Sequence, residues 1–193
     1  MRPIVIVRTF VILIAVLGII FAGKFLYKDS VKQELPYFST VPEFQFVTQD
    51  SLPFGLENMH GKVNVVDFMF TRCKGPCPIM VNMMGDLYSH FENQKMVQFV
   101  SVSVDPEYDT LLALQAYADK NGVDDDRWVF LSAPMPDIVK LCEQGFKLAA
   151  DDLPGAHSTK FILVDSDGKI RGYYSGIDKE DIVKLQHDIE SLL

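Results

Sequence analysis

The sequence predicts a layered α/β domain preceded by one membrane-spanning helix. Three observations carry that expectation. Two dense apolar runs, Val63–Phe70 and Val97–Val104, have the β-branched and aromatic character of buried central strands. Segments of helical period alternate with them, as in sheets built from strand–helix–strand units. A separate uncharged stretch lies near the N-terminus. The 193 residues accommodate one ordinary domain plus an appendage. A hydrophobic content of 48% with 23% charged residues excludes disorder along the whole length. A formal charge of −8 counts against a nucleic-acid binder, which needs a basic surface to displace counterions. Three cysteines, at 73, 77 and 142, are too few for a disulfide-stapled scaffold.

Charge is divided unevenly. Residues 1–32 carry Arg2, Arg8, Lys24, Lys28 and Lys32 against Asp29, a net +4, and the remainder carries −12. Thr9–Gly23 is uncharged, and counting back to Ile4 gives 20 residues interrupted only by Arg8. At about 1.5 Å per residue this spans roughly the 30 Å hydrocarbon core, with Arg8 near enough to one end to reach the interface. The expectation is an anchor over 1–25, a linker over 26–41 bounded by Pro36 and Pro42, and a folded domain over 42–193. A cleaved signal segment is the competing reading, because Phe21-Ala22-Gly23 offers small residues, although the following Lys24 makes a poor site. No cysteine follows the run, so a lipidated N-terminus is not indicated. Basic residues flank both ends almost equally, and charge alone does not orient the anchor.

Within the domain, Phe44 and Phe46 alternate with Glu43 and Gln45, a strand pattern over Glu43–Thr48, and Leu52–Phe54 completes an N-terminal β-hairpin. The Val63–Phe70 strand runs into a cysteine-bearing turn. Pro78 then opens a helix to Phe91, with Met80, Met83, Met84, Leu87 and Phe91 at helical spacing. Strand Val97–Val104 is followed by a helix over Thr110–Lys120 that stops near Asn121-Gly122, a short strand over Trp128–Leu131, and a helix over Asp137–Phe146. Lys160–Asp165 and Lys169–Tyr174 flank Ser166-Asp167-Gly168, a hairpin turn, and Lys179–Leu193 closes the chain as a helix. A β-β-α unit after βαβ repeats is the thioredoxin plan, a three-layer arrangement. Sites in such sheets form beyond the carboxyl ends of the central strands. Cys73 and Asp105 both lie there.

Cys73-Lys-Gly-Pro-Cys77 sits between a buried strand and a helix start. Free peptide N–H groups and the positive helix end favour thiolate at that place. The pair can close as a disulfide or grip a soft metal. His157, just before the Lys160–Asp165 strand, falls in the loop that faces the cysteine turn in thioredoxin-like chains. That loop usually carries a cis-proline, for which Pro154 sits too early. Two thiolates and an imidazole suit copper, as Cu(I) through the sulfurs or Cu(II) with added nitrogen or oxygen donors. Asp105, before Pro106, reads either as an acceptor behind the ligands or a partner contact, or as a plain loop-start residue. Cys142 reads as a packed thiol, Met80, Met83 and Met84 as a core stripe, Trp128 as packed near a strand, and His60, His90 and His187 as solvated.

These segments together resemble the Sco/SenC family, membrane-anchored thioredoxin-fold copper proteins linked to cytochrome c oxidase assembly. The resemblance is carried by Phe68-Met-Phe-Thr-Arg-Cys-Lys-Gly-Pro-Cys-Pro, by Ser101-Val-Ser-Val-Asp-Pro-Glu-Tyr-Asp-Thr, and by His157-Ser with Phe161-Ile-Leu-Val-Asp and Asp167-Gly-Lys. It implies copper ligation by Cys73, Cys77 and His157. It also implies a metallochaperone that serves the binuclear copper centre of an oxidase subunit, with another copper chaperone or a thiol reductase as further partners. The expected location is a bacterial cytoplasmic membrane, single-pass, with the domain on the periplasmic or extracytoplasmic side. A thiol–disulfide reductase acting through Cys73 and Cys77 on the recipient's cysteines is the alternative function. An antioxidant peroxidase is a weaker third, and a structural zinc site lacks a fourth ligand. One departure stands out. The family usually has a proline directly after the first cysteine and often a histidine before it, where this chain has Lys74 and Arg72. Two cations there are expected to lower the thiol pKa values and to weigh slightly against a cationic metal.

Overall fold

The computed structural model describes residues 34–155 and 157–193, with isolated positions 13, 14, 16 and 18. The chain divides into two units, Met1–Glu34 and Leu35–Leu193. The anchor expected over 1–25 lies almost wholly outside the described residues. Among those residues no helix is long and apolar enough to cross a membrane.

The second unit contains, in order, β1 (Ser39–Thr40), β2 (Gln45–Thr48), β3 (Pro53–Gly55), α1 (Leu56–Met59), β4 (Val63–Met69), α2 (Cys77–His90), β5 (Val97–Ser103), α3 (Leu111–Lys120), β6 (Trp128–Ser132), α4 (Met135–Lys140), a π-helical turn (Leu141–Gly145), β7 (Lys160–Val164), β8 (Lys169–Ser175) and α5 (Lys179–Leu192). One sheet takes the strands in the order β1-β8-β7-β4-β5-β6-β2-β3. The centre is parallel, with Val63 opposite Val97 and Phe99 opposite Trp128. β7 runs antiparallel to β4, and the β2–β3 hairpin extends the far edge through β6. This is the thioredoxin-like α/β architecture.

Period-two alternation sorts the central strands into two cores. Val63, Val65 and Met69 of β4 join Phe99, Trp128 and Phe130 under Met80, Met84 and Leu87 of α2, Leu114 of α3, and Ile182, Leu185 and Ile189 of α5. Val66 and Phe68 point the other way, with Val100, Val102 and Leu131, and meet Leu56 and Met59 of α1, Ile138 of α4, and Leu141 and Cys142 of the π-helical turn. Every residue of β4 and β5 is buried, which is why those two runs read as apolar without a solvent face. The methionines of α2 pack as the expected stripe, with Met80 and Met84 buried and Met83 half-buried against the same cluster. Local chemistry fixes the ends. Thr110 and Asp178 cap α3 and α5 with their side chains. Gly168, at φ 78°, supplies the left-handed residue that the β7–β8 turn requires.

The structure corrects the expected element boundaries in two places. The linker read over 26–41 is too long, because Ser39–Thr40 is an edge strand on β8. Val41 is 1% exposed, Phe38 meets Tyr173 edge-on at 5.3 Å, and the Phe38 and Val41 amides donate to the Ile170 and Gly168 carbonyls. The helix expected over Asp137–Phe146 starts at Met135 and widens into the π-helical turn from Leu141, which places Leu141 and Cys142 in the core.

Candidate metal centre

β4 ends at Met69 and α2 begins at Cys77, so residues 70–76 form a turn beyond the carboxyl end of a central strand. Cys77 is the first residue of α2 and is 2% exposed, whereas Cys73 stands half-buried on the turn. His157 comes from the loop before β7, is buried, and meets the ring of Phe70 edge-on at 5.4 Å. Its Nε2 lies 3.2 Å from the Cys77 sulfur and 3.9 Å from the Cys73 sulfur. The three donor atoms are within 4.8 Å of one another.

The imidazole is held in one tautomer. Nδ1 lies 3.1 Å from the Ser158 carbonyl, which only accepts, so Nδ1 carries the hydrogen and the Nε2 lone pair faces the sulfurs. Burial lowers the His157 pKa below its ordinary value and keeps the ring neutral at pH 7. An orienting hydrogen bond on the far nitrogen is the usual companion of a ligating histidine. Leu153–Pro154 is a cis peptide three residues upstream, and His157 rather than a proline takes the place against the cysteine turn.

The expected thiolate bias is overturned at Cys77. Burial pushes its thiol up to about 12, outweighing the Phe70 backbone hydrogen bond that favours the anion. The Arg72 cation is committed elsewhere, since its Nε donates to Asp105 at 2.6 Å and its guanidinium lies 4.7 Å over the Tyr108 ring. Asp105 itself is outside the three-donor group. Lys74 is exposed.

Two carboxylates beside the site were not singled out from the sequence. Asp67 lies on β4 between Val65 and Met69, fully buried, with the Ser101 hydroxyl donating to it at 2.6 Å. The Trp128 indole donates to the same Ser101 oxygen. Asp67, Cys77, Ser101 and Tyr117 line one narrow void of about 10 Å³. Burial raises the Asp67 pKa to about 7. The signal was available, since an acid inside an otherwise apolar buried strand is an anomaly. Asp109, four residues after Asp105, is fully buried and accepts from the Thr71 amide at 3.1 Å and from the hydroxyls of Thr71 and Ser103 at 2.5 and 2.6 Å.

The remaining singled-out residues stay apart. Cys142 is buried in the core on the opposite face of the sheet from Cys77, and burial pushes its thiol up to about 12. His60, His90 and His187 are exposed.

A thioredoxin-like domain that gathers two thiols and a neutral imidazole at the end of its central strands defines a class of protein suited to soft-metal binding and thiol chemistry. The chain belongs to the SCO1/SenC family, which matches residues 32–193. It is 31% identical over 169 residues to the SCO1 protein homolog of Bacillus subtilis strain 168, covering 84% of this chain and 86% of that one. A SCO1/SenC family lipoprotein from Bacillus anthracis superposes with a TM-score of 0.73 at 37% identity, over 80% of this chain and 95% of that one. BsSco, a member of the Sco family of cytochrome c oxidase assembly proteins in which a disulfide switch has been identified, superposes with a TM-score of 0.74. It is 30% identical over 83% of this chain and 97% of its own.

Proposed function

We propose that this chain is a copper metallochaperone that binds one copper ion through Cys73, Cys77 and His157 and passes it to the copper-binding subunit of cytochrome c oxidase. The observation that carries the reading is the convergence of two sulfurs and an oriented imidazole lone pair within 4.8 Å. Soft sulfur donors with one nitrogen select copper over the hard divalent ions. Sco proteins sharing this fold have been crystallised with copper bound. Cargo binding at pH 7 displaces the Cys77 proton, which its high pKa otherwise retains. Release proceeds by exchange of these ligands for those of the recipient. The N-terminal run anchors the domain to the membrane, with the domain on the extracytoplasmic side.

The asymmetry of the pair supports a second reading, reduction of the recipient's disulfide. Half-buried Cys73, as thiolate, attacks one sulfur and expels the other as thiolate. Cys77 then loses its proton and attacks the Cys73 sulfur of the mixed disulfide, expelling the recipient's remaining sulfur as thiolate. The recipient gains two electrons as two thiols, and Cys73 and Cys77 leave as a disulfide.

Metal analysis of the reduced protein separates the two. The wild type is expected to hold one copper per chain with an intense sulfur-to-copper charge-transfer band for Cu(II). His157→Ala is expected to weaken retention and shift the band while leaving the Cys73–Cys77 disulfide able to form. Unchanged copper retention in His157→Ala overturns the ligand set and leaves thiol exchange as the function.

A further inference from the structure

The turn that carries Cys73 has few attachments. Apart from the contact of Cys73 with His157 and the Cys73 amide donating to the Phe70 carbonyl at 3.3 Å, the hydrogen bonds that leave residues 71–75, among the described residues, come from Thr71 and Arg72. All of them end on Asp109 and Asp105. Both acceptors belong to the segment joining β5 to α3, and that segment is itself held. The Tyr108 and Asp109 amides donate to the Asp105 carbonyl at 3.0 and 2.8 Å. The Ser103 hydroxyl donates to Asp109 and in turn accepts from the Asp105 amide, tying the segment to the end of β5. Thr110 caps α3 immediately after it.

The two attachments differ in kind. Arg72 is half-exposed, so its ion pair is screened by solvent and weak as a restraint. Asp109 is fully buried and takes both the amide and the hydroxyl of Thr71, two residues before Cys73. Charge-assisted hydrogen bonds in a dry setting are short, strong and directional. Cys77 needs no such restraint, because the start of α2 and the core beneath it fix its sulfur.

We propose that Asp109 is the positioning residue of the cysteine turn, acting through Thr71 to hold the Cys73 sulfur open, at ligand distance from His157 and Cys77. The inference rests on the copper-binding reading for its metal readout only. Its thiol readout stands without it. The clamp is seen here with all three cysteines free. Loosening it removes the preorganisation of the open dithiol and of the three-donor group, whereas a closed disulfide keeps its own covalent geometry. Copper affinity is therefore expected to fall, and the dithiol–disulfide equilibrium to move toward the disulfide.

The test uses the full chain and three substitutions. Thr71→Val removes one hydroxyl, Asp109→Asn removes the charge and one acceptor, and Thr71→Ser restores the hydroxyl. Copper affinity, the Cu(II) charge-transfer band and the Cys73–Cys77 equilibrium against a defined thiol–disulfide buffer are measured together, with circular dichroism to verify folding. Thr71→Val and Asp109→Asn are expected to lose about tenfold in copper affinity, the low end of what losing support behind a ligand costs. They are also expected to shift the band and favour the disulfide several-fold, with Thr71→Ser matching wild type. If Asp109→Asn does not fold, Thr71→Val decides alone. A folded Thr71→Val protein with wild-type affinity, band and thiol equilibrium overturns the proposal. If the wild type takes up no copper, the copper reading fails, and the thiol equilibrium still decides whether the clamp exists.

Discussion

Replacing Asp67 by Asn tests the electrostatics beneath the cysteine turn. The carboxyl is fully buried, has the Ser101 hydroxyl as partner, and among the described residues faces no cation that would stabilise its charge. Burial raises its pKa from an ordinary 3.8 to about 7. Between those values the folded protein keeps the proton and the unfolded chain has lost it. Stability from this group is therefore present below the unfolded pKa and is lost as pH rises through the window. Each pH unit between the two values corresponds to about 1.4 kcal/mol, so the full loss is about 4 kcal/mol, of which roughly 3 falls between pH 5 and 7. Asn keeps an oxygen for Ser101 and stays neutral at every pH. Urea unfolding of the reduced, metal-free protein, followed by Trp128 fluorescence at pH 5, 6, 7 and 8, compares the two. Groups common to both proteins cancel in the difference. Asp67→Asn is expected to gain on the wild type progressively to pH 7 and then run level. A difference constant within about 0.5 kcal/mol over the series would mean that Asp67 ionises normally and that the strand interior is wetter than its burial implies.

Mild oxidation is expected to join Cys73 to Cys77 and leave Cys142 reduced, because the sheet stands between Cys142 and the pair. Thiol-labelling mass spectrometry reads this directly, and a bridge to Cys142 would contradict the topology. A chain starting at residue 35 is expected to unfold cooperatively. One starting at 42 should lose at least about 1.5–3 kcal/mol from the missing Val41 side chain, together with the Leu35 and Pro36 carbonyls that accept from Arg171. Equal denaturation midpoints for the two would show that the edge strand contributes nothing.

What the sequence discloses here depends on the range of the interaction. Val63–Phe70 and Val97–Val104 announce themselves because both faces of each strand are buried, so apolar residues run without interruption. Cys73 and Cys77 are legible because one turn contains them. The position of His157 opposite them became legible only through the order of elements, since 80 residues separate it from Cys77. The β1 edge strand escaped because two residues give no periodicity, although Leu35, Phe38 and Val41 recur at every third position. The Arg72–Asp105 pair, 33 residues apart, escaped for a different reason. Reading Arg72 as a free cation beside the thiols treated charge as local, and a partner on the neighbouring strand end cancels it. Burial likewise overrode the helix terminus at Cys77, because the dielectric around a sulfur is a property of the packed core and not of the motif.

The eight-stranded sheet ends in two very short strands. β1 contributes two residues, and β3 contributes three, the first of them Pro53, which has no amide hydrogen to offer. Long free edges are templates on which another chain can add a strand, and proteins guard against this with brevity and proline. Among the described residues both borders of this sheet are blunted in that way, so neither of these edges offers a long ladder for an incoming chain to extend. On the proposed function, recognition of a recipient would then rest on side chains around the cysteine turn and not on strand addition.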